Sequence, residues 1–158
     1  MDRFVSNTTL RLDAKGRVSI PASFRSVLTR DGFAGLYCYP ALDQPAIDAG
    51  GKALLAEIET LVNRFPPYSG EREEFLVALY GRSETVTIDG EGRVVLPDEL
   101  KSHAGITDGV AFVGLGHKFQ IWEPQRFRAH LAKATATVRT LTKRLDSERR
   151  VSDEGARE

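Results

Sequence analysis

Leu12-Asp13-Ala14-Lys15-Gly16-Arg17-Val18-Ser19-Ile20-Pro21 returns in the chain as Ile88-Asp89-Gly90-Glu91-Gly92-Arg93-Val94-Val95-Leu96-Pro97, at a constant offset of 76 residues. Asp, Gly, Arg, Val and Pro are identical in the two copies, and the Leu/Ile ends are conservative exchanges. Two copies are too few for a solenoid and point to two similar modules that pack together. Each copy places Asp three residues before Gly, the pattern of a type I turn. Apolar residues alternate on both sides: Leu10, Leu12, Val18 and Ile20 in one copy, Val86, Ile88, Val94 and Leu96 in the other. Period two around a turn predicts a hairpin. Pro21 and Pro97 end the second arm and open a short helix, where a missing N–H costs nothing.

The 158 residues suffice for one medium domain or two small ones, and 41% hydrophobic content provides a core. No apolar run approaches the roughly 20 residues of a membrane span, and no signal-peptide pattern opens the chain. One cysteine, Cys38, excludes an internal disulfide and offers no zinc cluster, so a cytosolic protein is expected. Net charge is zero but segregated: +4 over residues 1–30, −5 over 31–81, −3 over 82–123 and +4 over 124–158. The basic first stretch coincides with the first repeat, where a polyanion is expected.

Arg3 to Thr9 reads as a leading strand or arm. Pro21 to Leu28 is an amphipathic helix, Asp31-Gly32 a turn and Gly35 to Pro40 a strand; residues 41–51 read as a loop. Lys52 to Arg64 carries the helical stripe Leu54, Leu55, Ile58, Leu61, Val62, and Glu71 to Tyr80 forms a second helix after Phe65-Pro66-Pro67. The second half repeats the order: hairpin 84–96, helix Pro97 to His103, Gly105 as its stop, then strands Val110 to Leu115 and Lys118 to Trp122. Pro124 opens the longest helix. Its Phe127, Leu131, Ala134, Val138, Leu141 and Leu145 step in a heptad-like seam, suited to its own domain or to a partner helix. From Asp146 the charged composition predicts a disordered tail.

A tandem pair of Asp-x-x-Gly-Arg-Val-x-aliphatic-Pro stretches, each followed by a short helix, resembles the MraZ family, whose modules are of the SpoVT-AbrB type. The resemblance spans nearly the whole chain. It implies an α+β fold with two tandem AbrB-like swapped-hairpin modules forming a pseudo-dimer within one chain. The first, DNA-facing module spans 7–54, a two-helix linker 55–81, the second module 83–126, a long C-terminal helix 127–145 and the disordered tail 146–158. It further implies a DNA-binding transcriptional regulator of the bacterial division and cell-wall gene cluster. Such a protein acts on short direct repeats of double-stranded DNA in its own promoter, as a ring-like homo-oligomer in the cytoplasm with the nucleoid.

Arg17 is the leading candidate for DNA contact. It either pairs with Asp13 across the turn or reads a base edge, and Lys15 beside it favours DNA. Arginine is the side chain best matched to a bidentate guanine contact. The second copy places Glu91 where Lys15 stands, and an acidic tip is poorly suited to phosphate. The first tip is therefore assigned to DNA and the second to folding, with Arg93 pairing Asp89. Asp13, Gly16, Asp89 and Gly92 are turn residues. Arg3 and Arg11 are secondary DNA candidates, and Arg25 is either a phosphate contact on DNA or a solvated charge on the helix surface. Lys143-Arg144 and Arg149-Arg150 either add non-specific DNA affinity or form a solvated helix end.

His103, His117 and His130 show no ligand spacing, so neither metal nor cofactor is expected. No catalytic triad, phosphate loop or metal set marks an enzyme or a small-molecule substrate. The competing function is an AbrB-type antitoxin that binds a toxin and regulates its own operon. Such proteins pair one module with a toxin-wrapping tail, whereas this chain has two modules and a short tail.

Overall fold

Both Asp-x-x-Gly stretches close as β-turns in the computed structural model, which describes residues 2–157. The Gly16 N–H donates to the Asp13 carbonyl at 2.9 Å, and the Gly92 N–H to that of Asp89 at 3.0 Å. Gly16 and Gly92 have φ of 77° and 81°, the left-handed region that glycine enters without a Cβ penalty.

The arms of each turn then separate. β1 (Asn7–Arg11) pairs antiparallel with β7 (Gly109–Gly114), from Asn7 opposite Val113 to Arg11 opposite Gly109. β2 (Arg17–Ser19) pairs with β6 (Arg93–Val95), Val18 opposite Val94. β5 (Glu84–Val86) pairs with β3 (Leu36–Pro40). The predicted hairpins therefore do not zip beyond their turns. Period-two alternation specifies which face of a strand is buried and leaves the partner open.

A six-stranded antiparallel sheet has the order β1-β7-β8-β4-β3-β5, with β4 (Ile47–Gly50) and β8 (Phe119–Trp122) at its centre. β2 and β6 form a separate two-stranded ribbon. The order is symmetric about β8 and β4, and the first arm of each repeat pairs with a strand from the other repeat's half.

Residues 41–51, read as a loop, contain β4. Ala46-Ile47-Asp48-Ala49-Gly50 lacks the β-branched and aromatic run that marks a strand. Burial holds it instead: Ile47 and Ala49 are fully enclosed between β3 and β8. Its buried Asp48 accepts from Lys118 Nζ at 2.9 Å and Gln120 Nε2 at 2.8 Å, as an enclosed carboxylate requires.

α1 (Ala22–Asp31) and α4 (Asp98–Ala104) follow the two prolines and end at Gly32 and Gly105, both left-handed. Phe24 of α1 meets the rings of Phe4 at 5.3 Å and Phe119 at 4.8 Å, in a core that also holds Val18, Ile20, Val94, Leu96 and Leu100. α2 (Lys52–Val62) buries Leu54, Ile58 and Val62 against Tyr37 and Tyr39, together with Leu79 of α3 (Gly70–Leu79). Asp31 caps α2, its Oδ2 accepting from the backbone N–H of Lys52 and Ala53. A side chain at Gly51 would fill that approach, its Cβ 2.7 Å from Asp31 Oδ2.

Within α5 (Pro124–Arg157), the residues from Gln125 onward form a compact unit of their own. The expected helix at 127–145 and disordered tail at 146–158 give way to one helix through Arg157, with Glu158 outside the described residues. Low apolar content removes a packing face but leaves helix propensity intact, and Arg and Glu are good helix formers. Arg144 and Glu148 add an i,i+4 ion pair at 3.9 Å.

Candidate nucleic-acid interface

Side chains alternate across the β2–β6 ribbon. Val18 and Val94 are buried, which leaves Arg17, Ser19, Arg93 and Val95 on the opposite face, Ser19 and Val95 exposed and the arginines half-buried. Arg17 lies opposite Val95, and Ser19 opposite Arg93. The antiparallel register places the two turns at opposite ends of the ribbon.

Each turn is organised by its aspartate. Asp13 Oδ1 accepts from the backbone N–H of Lys15 at 2.9 Å and Arg17 at 2.8 Å, and Arg17 Nε donates to Asp13 Oδ2 at 2.7 Å. Asp89 repeats this with Glu91 and Arg93, each at 2.9 Å, and with Arg93 Nε at 2.9 Å. Both carboxyls are held below the usual aspartate value, chiefly by the backbone N–H of Arg17 or Arg93 and also by that arginine's side chain. Arg93 is raised in turn, first by its hydrogen bond to Asp89.

The tips differ where their sequences differ. Glu91 Oε2 stands 3.4 Å from Arg93 Nη1, so the second arginine is clamped from two sides. In the first tip the corresponding residue is the exposed Lys15, and the ion pair of Arg17 with a described residue runs through Nε. The first tip thus presents a positioned guanidinium edge beside a lysine.

The structure sorts the remaining candidates. Arg11 lines a concavity at the first tip with Leu12, Asp13, Ala14 and Gly16. Arg25 does not join them. It lies across the second tip, its Nε donating to the Ile20 carbonyl at 3.1 Å, where a Cβ on Gly92 would collide with its guanidinium. Arg3 sits beside Glu57, Gly116 and His117 at the far end of β1. Phe4 bridges Gly116 while Arg11 opposes Gly109, a separation of about seven residues, or roughly 23 Å of strand.

Lys101 of α4 lines the first-tip concavity with Arg11 and Asp13 and was missed in the sequence reading. The signal was present, because Lys101 is Arg25 moved by the repeat offset of 76. Each helix cation therefore serves the other repeat's turn. Among the described residues no group of three or more His, Cys, Asp or Glu side chains could hold a metal, and no helix is long and apolar enough to cross a membrane.

Fold and site define an α+β protein built on a tandem repeat, in which one of the two ribbon tips sets an exposed lysine beside its arginine. Residues 79–149 match the family model described as "MraZ protein, putative antitoxin-like". "Transcriptional regulator MraZ" of Xanthobacter autotrophicus is 65% identical over 93% of this chain and 94% of its own length. The protein of the same name from Methylocella silvestris is 58% identical over 97% and 93%, and that of Rickettsia bellii 41% over 85% and 87%. The chain belongs to the MraZ family of transcriptional regulators.

Proposed function

We propose that the protein binds double-stranded DNA sequence-specifically, at short direct repeats in its own promoter, and regulates the division and cell-wall gene cluster from the nucleoid. The observation that carries this reading is the asymmetry of the tips: Glu91 clamps Arg93, whereas Lys15 leaves the Arg17 fork available. The major groove admits a two-stranded β-ribbon, and arginine matches the O6/N7 edge of guanine. Arg11 and Lys101 flank the tip as phosphate contacts, positioning the ribbon without reading sequence. Arg25 and Arg3 leave this interface. The exchange of first arms between halves supports the reading of two swapped-hairpin modules forming a pseudo-dimer within one chain. In this reading the chain acts as a homo-oligomeric ring, arraying several first tips along one DNA and raising their effective concentration.

Fluorescence anisotropy with a duplex carrying the promoter repeats, against a shuffled duplex, tests the proposal. Preferential binding that weakens steeply with salt is expected. Equal affinity for both duplexes would overturn it. The family model's antitoxin-like description favours a second reading, in which the chain neutralises a toxin. A stoichiometric toxin in a native pull-down, with no preference for promoter DNA, would favour that reading.

A further inference from the structure

Leu131, Val138, Leu141 and Leu145 lie on one face of α5 and are 46%, 58%, 39% and 59% exposed. Between Pro124 and Leu145 the helix carries Arg126, Arg128, Lys133, Arg139, Lys143 and Arg144 and no acidic residue. Up to Leu145 the charged residues of the helix are all basic, which suits this apolar stripe poorly to a second α5. In the heptad register Arg128 and Arg149 flank the seam, as does Arg144 with its Glu148 partner, so an α5–α5 coiled coil brings arginines toward arginines.

A surface of the opposite character exists on residues 31–81, which carry net −5. There α2, α3 and the β3–β4 connection enclose a groove of about 370 Å³, walled by Leu42, Ile58, Leu61, Phe75 and Leu79, with Asp43 at its edge and Lys118 neutralised by Asp48 at its floor. Leu42 and Leu61 are 58% and 37% exposed. An apolar groove in an acidic segment is the complement of an apolar stripe on a basic helix, and helix-in-groove recognition uses side chains at this spacing.

We propose that α5 of one copy docks in the α2–α3 groove of a second copy, its Val138–Leu145 stripe on Leu42 and Leu61 and its basic flanks toward the acidic segment. This rests on the homo-oligomer reading above and assigns it a surface. Because the two faces differ, the contact is head-to-tail, the type that closes into rings or runs on as filaments.

Two single-substitution chains with different tags, Leu42→Cys and Leu141→Cys, are co-expressed and mildly oxidised. Buried Cys38 is withheld from exchange, because burial keeps its thiol protonated. A disulfide joining the two differently tagged chains is expected. Links between Leu141→Cys chains alone, or none between chains, would overturn the proposal. In parallel, Val138→Glu with Leu141→Glu should lower the light-scattering mass toward the 17.5 kDa of one chain, with circular dichroism unchanged. An oligomeric wild type whose mass those substitutions leave unchanged overturns the docking alone. A monomeric wild type overturns the homo-oligomer reading as well.

Discussion

Lys15→Glu gives the first tip the acidic residue of the second, and its effect on DNA affinity follows from the geometry. Two unit charges 4 Å apart in a water-like dielectric interact by about 1 kcal/mol. Lys15→Ala therefore forfeits about 1 kcal/mol per tip, and reversing the charge forfeits about 2 kcal/mol. The new carboxylate also stands where Glu91 reaches Arg93 Nη1 at 3.4 Å. It would pair with Arg17 in the same way, and an exposed ion pair competing for the guanidinium costs at most about 1 kcal/mol more. The total is about 2–3 kcal/mol, or roughly 30- to 150-fold per tip.

Anisotropy titrations of a single-repeat duplex at several salt concentrations, with circular dichroism as the folding control, measure both variants. Glu91→Lys should leave affinity intact or raise it. Equal losses from Lys15→Glu and Lys15→Ala would refute the clamp. A comparable loss from Arg93→Ala in a folded protein would refute the division between tips.

Phe24→Ala should destabilise the fold by about 3–5 kcal/mol in urea titration, because Phe24 is buried among Phe4, Phe112 and Phe119. Gly16→Ala should cost about 1–2 kcal/mol for its left-handed backbone alone, since among the described residues nothing beyond its chain neighbours stands within 4 Å of the added Cβ. Gly92→Ala should cost more in the same titration, because Arg25 must also move. Asp13 and Asp89 are held below their ordinary value, so their contribution is complete above the unfolded value of 3.8 and is lost as pH falls through the lower folded value. Amide NMR shifts of Lys15, Arg17, Glu91 and Arg93 should thus hold constant from pH 7 to 5 and move together below 3.8, and Asp13→Asn should remove the transition at Lys15 and Arg17.

The repeat was legible because its residues obey local rules. Asp, Gly and Pro set a turn and a helix start from within ten residues, and both turns and both helices formed there. Arg17 and Arg93 were legible as partners of Asp13 and Asp89 for the same reason. Strand partners were not, since alternation carries no information about register between distant segments. β4 escaped notice because burial and an Asp48–Lys118 ion pair across 70 residues hold it, and local β-propensity does not. Arg25 reads from its neighbours only as a phosphate contact or a solvated charge, because the crossing of arms that brings it to the second turn is not written locally. Applying the 76-residue offset to Arg25, as well as to the turn itself, would have found Lys101.

In the proposed function Arg17 reads a base while Arg93 holds a turn. Its most direct test is the ratio of specific to random DNA affinity for Arg17→Ala and Arg93→Ala on a one-repeat operator. Arg17→Ala should lower that ratio by about 1–3 kcal/mol per occupied site, and Arg93→Ala should leave it unchanged. A ratio unaltered by Arg17→Ala, with both affinities reduced alike, would contradict the account and leave Arg17 as a phosphate contact or a turn residue.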